Sequence, residues 1–278
     1  MRICAQNAII LRAVFPTFTN IFPHHFIATV NEEGKVAGGM ADPKVCVTLD
    51  GTTIEEMTDE AARANLAGAD IVEVRFDRMY LIKPDLTIAD EEEGERVEMP
   101  AEKDWETSDM SSVDIDASIA ALKEGITLPV IFTVRPVSEG GFFPGVESER
   151  LEILQKAIDS SVSWVDLELS IEESKRNTLK ESAEKNGCKI VASKHDINGV
   201  PDAETIASLV RDNQGAGDVV KFCGTARGHE DALQIIEAAT ELTGDGLNHS
   251  LMALNSGGDW PRLHLSLIHI SEPTRQLC

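Results

Sequence analysis

The sequence lacks the features of several large classes of protein. It contains no apolar run long enough to cross a bilayer, so we do not expect a membrane-spanning protein. Basic residues are scarce: 25 lysines and arginines stand against 48 aspartates and glutamates, and the formal net charge of -23 argues against nucleic acid and anionic membranes as partners. The five cysteines show neither a CxxC motif nor metal-binding spacing, which is consistent with buried thiols in a reducing cytoplasm.

What the sequence does contain is a regular alternation of short β-rich runs and amphipathic helical stretches. Strands are predicted at 44–50, 70–77, 129–136, 164–170, 188–196, 218–224 and 249–255. Helices are predicted at about 53–67, 114–124, 147–160, 171–186, 202–213 and 227–243. Repeated βα units of this length favour a parallel sheet with right-handed crossovers, and we predict an α/β fold of the (β/α)8 TIM-barrel type. An open doubly wound sheet is disfavoured because its first strand should lead into a glycine fingerprint, and the sequence has only Asp50-Gly-Thr-Thr there.

The two ends and one internal stretch do not follow this rhythm. We interpret residues 1–39 as a non-native or disordered extension, since Met40 precedes a clean entry into the first strand. Residues 40–264 form the predicted barrel, interrupted at about 86–110 by an acidic, poorly periodic insertion that we expect to be solvated. Residues 265–278 resemble the translation of an adapter used in DNA sequencing libraries, and we interpret them as an artefactual tail. The eighth strand and helix of the barrel are therefore expected to be missing from this chain.

Alternation along the predicted strands separates an apolar face from a polar one. The apolar face would pack against the outer helices, and the polar face would point into the barrel near the carboxyl ends of the strands, where barrel enzymes carry their catalytic groups. Five ionisable residues from four strands are expected to converge there: Glu73, Arg75, Arg135, His195 and Lys221. Because unpaired charges are costly in an interior, this convergence indicates a functional site.

Lys221 lies inside an otherwise apolar strand. An ammonium in such a place loses hydration, which favours the uncharged amine, a nucleophile toward carbonyl groups. With His195 on the preceding strand, the pattern suggests imine chemistry assisted by a proton shuttle. The alternative is a lysine near a strand end whose ammonium reaches solvent.

The residues around this pair narrow the class of ligand. Arg75, Arg135 and Arg262 suit a small carboxylate or polyhydroxy acid. Glu139 could accept a hydrogen bond from the histidine and hold its ring. The glycines at 140 and 141 would permit a flexible loop beside the site.

These segments resemble the motifs of the type I 3-dehydroquinate dehydratase family. The matching residues are Glu73-Val-Arg75, the F-T-x-R-x-x-x-E-G-G pattern from Phe132 to Gly141, His195-Asp196, Lys221, and Leu251 to Gly258 followed by Arg262. The resemblance covers Lys44 to Arg262 apart from the acidic insertion.

The resemblance implies the reversible dehydration of 3-dehydroquinate to 3-dehydroshikimate, a step of the shikimate pathway toward chorismate and aromatic amino acids. Lys221 would form an imine with the substrate ketone. His195 would mediate imine formation, abstract the neighbouring proton and protonate the departing hydroxyl, and Glu139 would orient His195. The substrate oxygens would be bound by Thr48, Glu73, Arg75, Arg135 and Arg262. The resemblance implies no metal or dissociable cofactor, a cytoplasmic location, and a homodimer when the chain is complete.

Three other interpretations stay open. The family's last βα loop supplies a serine and a glutamine that would lie beyond residue 264, and the missing elements would leave unpaired edges on the first and seventh strands. The chain could thus be an inactive, truncated dehydratase-like domain. A class I aldolase-type barrel enzyme also forms an imine, but the segment from Arg135 to Gly141 is not its pattern. A non-catalytic, quinate-responsive regulatory module would be favoured by loss of Lys221 or His195, and both are present.

Overall fold

The structure is a computed structural model that describes residues 8–10, 45–84, 100–243 and 245–255. Its strands are β1 Ala8–Ile10, β2 Val45–Thr48, β3 Ile71–Arg75, β4 Leu81–Ile82, β5 Glu106–Thr107, β6 Val130–Thr133, β7 Trp164–Glu168, β8 Lys189–Asp196, β9 Val219–Thr225 and β10 His249–Leu254. Its α-helices are α1 Ile54–Leu66, α2 Ile115–Gly125, α3 Glu147–Asp159, α4 Glu173–Asn186, α5 Ala203–Asp212 and α6 His229–Glu241. No helix in these ranges is long and apolar enough to cross a membrane.

The main sheet has the strand order β1-β2-β3-β6-β7-β8-β9-β10. From β2 to β10 every neighbouring pair is parallel, and one of the six helices lies between each strand and the next in the chain. All the predicted strands and helices are present, with ends that differ by up to three residues, as for β6 against the predicted 129–136. The predicted succession of βα units is therefore confirmed.

The helices begin and end where local chemistry favours it. Thr53, Asp114 and Asp202 precede α1, α2 and α5, and each side chain accepts a hydrogen bond from a backbone N–H of the first turn. Helix α4 ends at Asn186 and is capped by Gly187, whose φ of 70° is left-handed and so favours glycine. These capping residues satisfy backbone N–H groups at helix starts and allow the chain to leave the helix toward the next strand.

The two faces of the sheet differ in chemistry. The outward face packs against the helices with buried apolar side chains such as Val72, Val74, Phe132, Val165 and Phe222. The inward face has an apolar layer that includes Cys46, Ile71, Ile131 and Val191, and nearer the carboxyl ends of the strands it carries charged residues. Each strand thus supplies both the core and the site.

One edge of the sheet differs from expectation. Ala8–Ile10 pairs antiparallel with β2, joining Ala8 to Val47 and Ile10 to Val45. The prediction of an unpaired edge on the first barrel strand is therefore wrong, because a segment far upstream in sequence supplies the missing backbone partners. The remainder of 1–39 and the tail at 265–278 lie outside the described residues, so the expected absence of an eighth strand stays a prediction.

The acidic insertion is anchored where the structure describes it, from residue 100 onward. Strand β5 pairs antiparallel with β4 just after β3. Glu102 accepts two hydrogen bonds from the guanidinium of Arg78, at 2.7 and 2.8 Å, and Arg78 also donates to the carbonyl of Asp50. This part of the insertion is tied to the end of the first two barrel strands.

Candidate active site

The inward face carries a charged cluster centred on Lys221. This residue is 5% exposed, and its Nζ lies 3.2 and 3.4 Å from the two carboxylate oxygens of Glu73. Thr48 Oγ1 donates to Glu73 Oε2 at 2.7 Å. Thr133 Oγ1 and Arg135 Nη2 donate to Glu73 Oε1 at 3.0 and 3.2 Å. Glu73 therefore holds donors from several strands around the amine.

Arg75 is fixed at the end of β3 by a bidentate ion pair. Its Nε and Nη2 lie 2.9 and 2.7 Å from the two oxygens of Asp77. The same carboxylate accepts hydrogen bonds from the backbone N–H groups of Arg135 and Phe142, at 3.2 and 3.1 Å. One buried carboxylate thus positions a guanidinium and the loop that follows β6.

The two glycines of that loop allow a tight turn beside the site. Gly140 has a φ of 76°, in the left-handed region. Gly141 donates to the carbonyl of Pro136 at 2.9 Å, and a Cβ at position 141 would come within 2.0 Å of the carbonyl oxygen of Arg135. Only glycine fits there, and the close approach places Glu139 toward β8.

His195 and Glu139 form a second pair beside the amine. His195 Nδ1 lies 3.1 Å from Glu139 Oε2, which also accepts the backbone N–H of His195 at 2.9 Å. Ser170 Oγ donates to the other oxygen of Glu139 at 2.5 Å. The imidazole Nε2 is buried and has no hydrogen-bond partner within the described part of the chain. The ring is therefore oriented through Nδ1 while Nε2 is left for a ligand or proton.

Burial and charge set the protonation of these groups in different directions. Burial, reinforced by the positive charges of Arg135 and Lys221, holds the pKa of His195 well below its usual value, so the ring is neutral at pH 7. Burial also raises the pKa of Glu139. Burial acts in the same sense on Glu73, but the charges of Lys221 and Arg135 outweigh it and hold its pKa far below the ordinary range. The site thus combines an uncharged base with a firmly ionised carboxylate.

Strand β7 contributes two inward carboxylates that were not predicted as site residues. Asp166 and Glu168 are fully buried, and Asp166 Oδ2 lies 4.0 Å from Lys221 Nζ. Glu168 Oε2 accepts a hydrogen bond from Arg150 of α3 at 2.6 Å. Both residues alternate with Val165 and Leu167, so the alternation that revealed the polar face of β3 could also have found them.

The structure brings together all the predicted site residues that it describes. Thr48, Glu73, Arg75, Arg135, Glu139, His195 and Lys221 lie on the inward face or at the carboxyl ends of its strands. Arg262 lies outside the described residues. The assembled groups offer a buried amine, a neutral imidazole with one unsatisfied nitrogen, and two guanidinium groups, a set suited to a small anion that carries a carbonyl group.

Comparison with known sequences points to one family. The sequence model of the family described as Type I 3-dehydroquinase matches residues 45–259. A 3-dehydroquinate dehydratase from Methanopyrus kandleri is 31% identical over 194 residues, which make up 69% of this chain and 72% of that protein. Another from Alkaliphilus oremlandii is 28% identical over 221 residues, or 79% of this chain and 76% of that protein.

Solved structures agree at the level of the fold. A type I 3-dehydroquinate dehydratase from Clostridium difficile has a TM-score of 0.65 and 23% identity, covering 83% of this chain and 82% of that one. A 3-dehydroquinate dehydratase from Enterococcus faecalis has the same TM-score at 22% identity, covering 84% of this chain and 88% of that one. The predicted barrel class is therefore confirmed.

Proposed function

The chain belongs to the type I 3-dehydroquinase family, and from that membership we propose that it is a lyase that dehydrates 3-dehydroquinate to 3-dehydroshikimate. This reaction is a step of the shikimate pathway, which leads to aromatic amino acids. The relatives from Methanopyrus kandleri and Alkaliphilus oremlandii carry the name of this activity.

The reaction proceeds through an imine between Lys221 and the ketone of the substrate. The observation that carries this proposal is the buried position of Lys221 Nζ, 3.2 Å from Glu73 and on the same inward face as His195. A protonated imine withdraws electrons from the neighbouring carbon, so the proton on that carbon becomes acidic enough for an imidazole to remove. The imine supplies the polarisation that a metal ion supplies in other lyases.

His195 is the group that moves the substrate proton. Its Nε2 has no hydrogen-bond partner in the described ranges, and its depressed pKa keeps it neutral and able to accept a proton at pH 7. After taking the proton from carbon, the imidazolium protonates the departing hydroxyl, which leaves as water. Glu139 accepts from Nδ1 and stabilises the imidazolium while the proton is on the ring.

The substrate oxygens are held by the groups around Glu73. Arg75 and Arg135 supply guanidinium N–H donors, and Arg135 Nε has no hydrogen-bond partner in the described ranges. Thr48 and Glu73 interact with the hydroxyl groups of the ring. We assign the substrate carboxylate to Arg262, on the strength of its place in the sequence motif after Leu251 to Gly258.

We also propose that the protein is cytoplasmic and forms a homodimer. The cytoplasmic proposal is supported by three buried cysteines that form no disulfide within the described residues: Cys46, Cys188 and Cys223. The dimer proposal rests on the family resemblance, and analytical ultracentrifugation at micromolar concentration tests it.

Reductive trapping tests the proposed function. The purified chain is mixed with 3-dehydroquinate, product formation is followed by the ultraviolet absorbance of the conjugated enone, and a parallel sample is treated with borohydride. We expect turnover, and a mass increase confined to the peptide that contains Lys221. Turnover without an adduct would contradict the imine mechanism, and absence of both would contradict the function.

A matched pair of variants guards against non-specific reduction. Lys194 is an exposed lysine on β8, whereas Lys221 is buried on β9. Lys194→Met should retain both turnover and adduct, and Lys221→Met should lose both. An adduct that disappears in Lys194→Met would show that trapping reports surface amines.

A further inference from the structure

We propose that Ser170 is a positioning residue for His195, and that it acts through the carboxylate of Glu139. The inference rests on the proposed function and deepens it, because it adds a residue from the loop after β7 to the groups that set the geometry of the imidazole. None of the sequence motifs includes this serine. In this role it contacts neither the substrate nor the imidazole.

The carboxylate of Glu139 is held from two sides. Its Oε2 accepts the backbone N–H of His195 at 2.9 Å and lies 3.1 Å from Nδ1 of the same residue. Its Oε1 accepts a hydrogen bond from Ser170 Oγ at 2.5 Å, and no other hydrogen bond within the described residues reaches that oxygen. Since Ser170 follows β7 and His195 lies on β8, the carboxylate bridges the ends of two neighbouring strands.

Two anchors are needed because the end of a glutamate side chain turns easily. The torsion that orients a glutamate carboxylate is broad, unlike the staggered torsions nearer the backbone. Hydrogen bonds to Oε2 alone would let the carboxylate of Glu139 swing about that oxygen. The bond from Ser170 to the opposite oxygen fixes the plane of the group, and with it the direction from which Oε2 meets Nδ1 of His195.

The position of that carboxylate decides which imidazole nitrogen carries the proton. A neutral histidine is protonated at the nitrogen that donates to a fixed acceptor. With Glu139 beside Nδ1, the proton lies on Nδ1 and the buried Nε2 of His195 keeps its lone pair. Nε2 is the atom that accepts the substrate proton in the proposed mechanism. Loss of the bond from Ser170 should therefore reduce the fraction of His195 in the working tautomer.

The same hydroxyl favours the ionised form of Glu139. Burial raises the pKa of this carboxyl, and the charge of Asp166 adds to the rise. The hydrogen bonds from Ser170 and from the backbone of His195 oppose the rise, as does the charge of Arg135. Without the hydroxyl the pKa of Glu139 should rise further. A protonated Glu139 accepts poorly from Nδ1–H, so activity should then be lost at a higher pH than in the wild type.

Ser170 is exposed, whereas the carboxylate that it binds is buried. Replacement of an exposed loop residue changes stability little, so a variant at this position separates positioning from folding. Water can reach the vacated place and satisfy Oε1 of Glu139 without fixing its direction. The expected effects on catalysis are accordingly smaller than those of removing the nucleophile or the base.

The test is the pH dependence of turnover in Ser170→Ala. The full chain and the variant are assayed with 3-dehydroquinate over about pH 5–9. We expect kcat to fall about tenfold, as for loss of a hydrogen bond to a charged group, while KM stays within about twofold. The acid limb of the kcat/KM profile should move to higher pH by about half a unit to one unit. Wild-type kcat and an unmoved limb would overturn the role of Ser170.

A conservative variant and a matched control accompany this test. Ser170→Thr keeps the hydroxyl and should restore the wild-type acid limb, with kcat within about threefold. A limb that moves as far as in Ser170→Ala would contradict the proposal. Ser174 is also exposed and donates to a carboxylate at 2.5 Å, but its acceptor, Glu172, makes no hydrogen bond to a site residue in the described ranges. Ser174→Ala should change kcat by less than about twofold, and an equal loss there would refute a specific role for Ser170.

Glu139→Ala separates an indirect role of Ser170 from a direct one. If Ser170 acts through Glu139, adding Ser170→Ala to Glu139→Ala should change the residual kcat by less than about twofold. A further fall of about tenfold in the double variant would mean that the serine contacts the substrate itself, and the positioning role would be wrong.

Nitrogen NMR of protein labelled at histidine gives a readout that does not depend on turnover. His195 should carry its proton on Nδ1 in the wild type, and Ser170→Ala should move part of the population to Nε2. An unchanged tautomer in the variant would overturn the inference while the proposed function stands. Absence of turnover in the wild type would overturn the proposed function, and the tautomer measurement would still decide whether Ser170 positions His195.

Discussion

The two faces of the barrel sheet differ in chemistry: the outward face forms an apolar core with the helices, and the inward face carries the charged candidate site. On β9 the outward residues Val220 and Phe222 pack against α5 and α6 in an apolar core. The inward residue between them, Lys221, is nearly as well buried but lies among carboxylates. The outward face gains free energy from removing apolar surface from water, whereas the inward face holds charges that are costly to bury.

Neighbouring residues on one strand are therefore expected to serve different purposes, one stabilising the fold and the next contributing to the candidate site. Because side chains alternate, a change of one position along a strand moves a substitution from the core to the site. Inward substitutions should therefore alter turnover more than stability, and outward substitutions should do the reverse. The comparison fails if neighbouring residues on one strand give the same response.

The sharpest version of this comparison uses Lys221→Met and Phe222→Ala. Lys221→Met should lower kcat on the order of 10³-fold or more, since it removes the proposed nucleophile. Its free energy of unfolding should change by no more than about 2 kcal/mol, because Glu73 keeps Arg135 and two threonines as partners. Phe222→Ala should lower the free energy of unfolding by about 3–5 kcal/mol. Urea denaturation and steady-state kinetics on both variants make the measurement.

Activity must be expressed per folded molecule for this pair. Phe222→Ala is expected to keep kcat within about tenfold of wild type under conditions where it is folded. A loss of kcat in Phe222→Ala as large as that in Lys221→Met would show that the two faces are not separable.

Sequence alternation predicted the outward, apolar face of the sheet better than the inward, charged face. The apolar residues of the strands gave the order and approximate bounds of the elements, because burial against helices requires a local pattern that a single sequence displays. The same alternation placed Glu73 and Lys221 inward. In 164–170 the same alternation places Asp166 and Glu168 inward, although neither was among the predicted site residues.

Other features depend on contacts that no local pattern encodes. Arg150 lies on α3 and reaches the carbonyl of Val134 and the carboxylate of Glu168, a partner 18 residues away. The pairing of Ala8–Ile10 with β2 joins segments that a long irregular stretch separates. The sequence shows a glycine at 141, but only the structure shows why a larger residue does not fit there: a Cβ would collide with the backbone of Arg135.

A second test compares the two ends of one strand. Asp77→Asn, just after β3, should reduce kcat/KM by about 10–100-fold, because Arg75, a proposed substrate-binding group, loses its bidentate partner and its position. Asp70→Asn, just before β3, changes a carboxylate that accepts one backbone N–H from Val45. Its kcat/KM should stay within about twofold of wild type. Steady-state kinetics with 3-dehydroquinate makes the comparison, and equal losses would mean that Asp77 acts only through stability.

The smallest expected effect is on how stability depends on pH, and it concerns Glu168 on the inward face. Burial raises the pKa of Glu168 to about 8, with the nearby Asp166 adding to it and Arg150 opposing it. The folded state therefore binds a proton that the unfolded state releases between about pH 4.5 and 8. This contribution to stability is fully present below about pH 4.5 and is lost as the pH rises toward about 8.

Glu168→Gln should remove that dependence, because an amide does not titrate. The slope of unfolding free energy against pH, from urea denaturation between pH 5 and 8, should become less negative by up to about 1.4 kcal/mol per pH unit. Glu147→Gln is the matched control, since Glu147 also pairs with Arg150 but is half exposed. It should leave the slope unchanged within about 0.3 kcal/mol per unit. An unchanged slope in Glu168→Gln would mean that Arg150 keeps Glu168 ionised throughout this pH range. Glu168 would then be a permanent negative charge on the inward face, despite its burial.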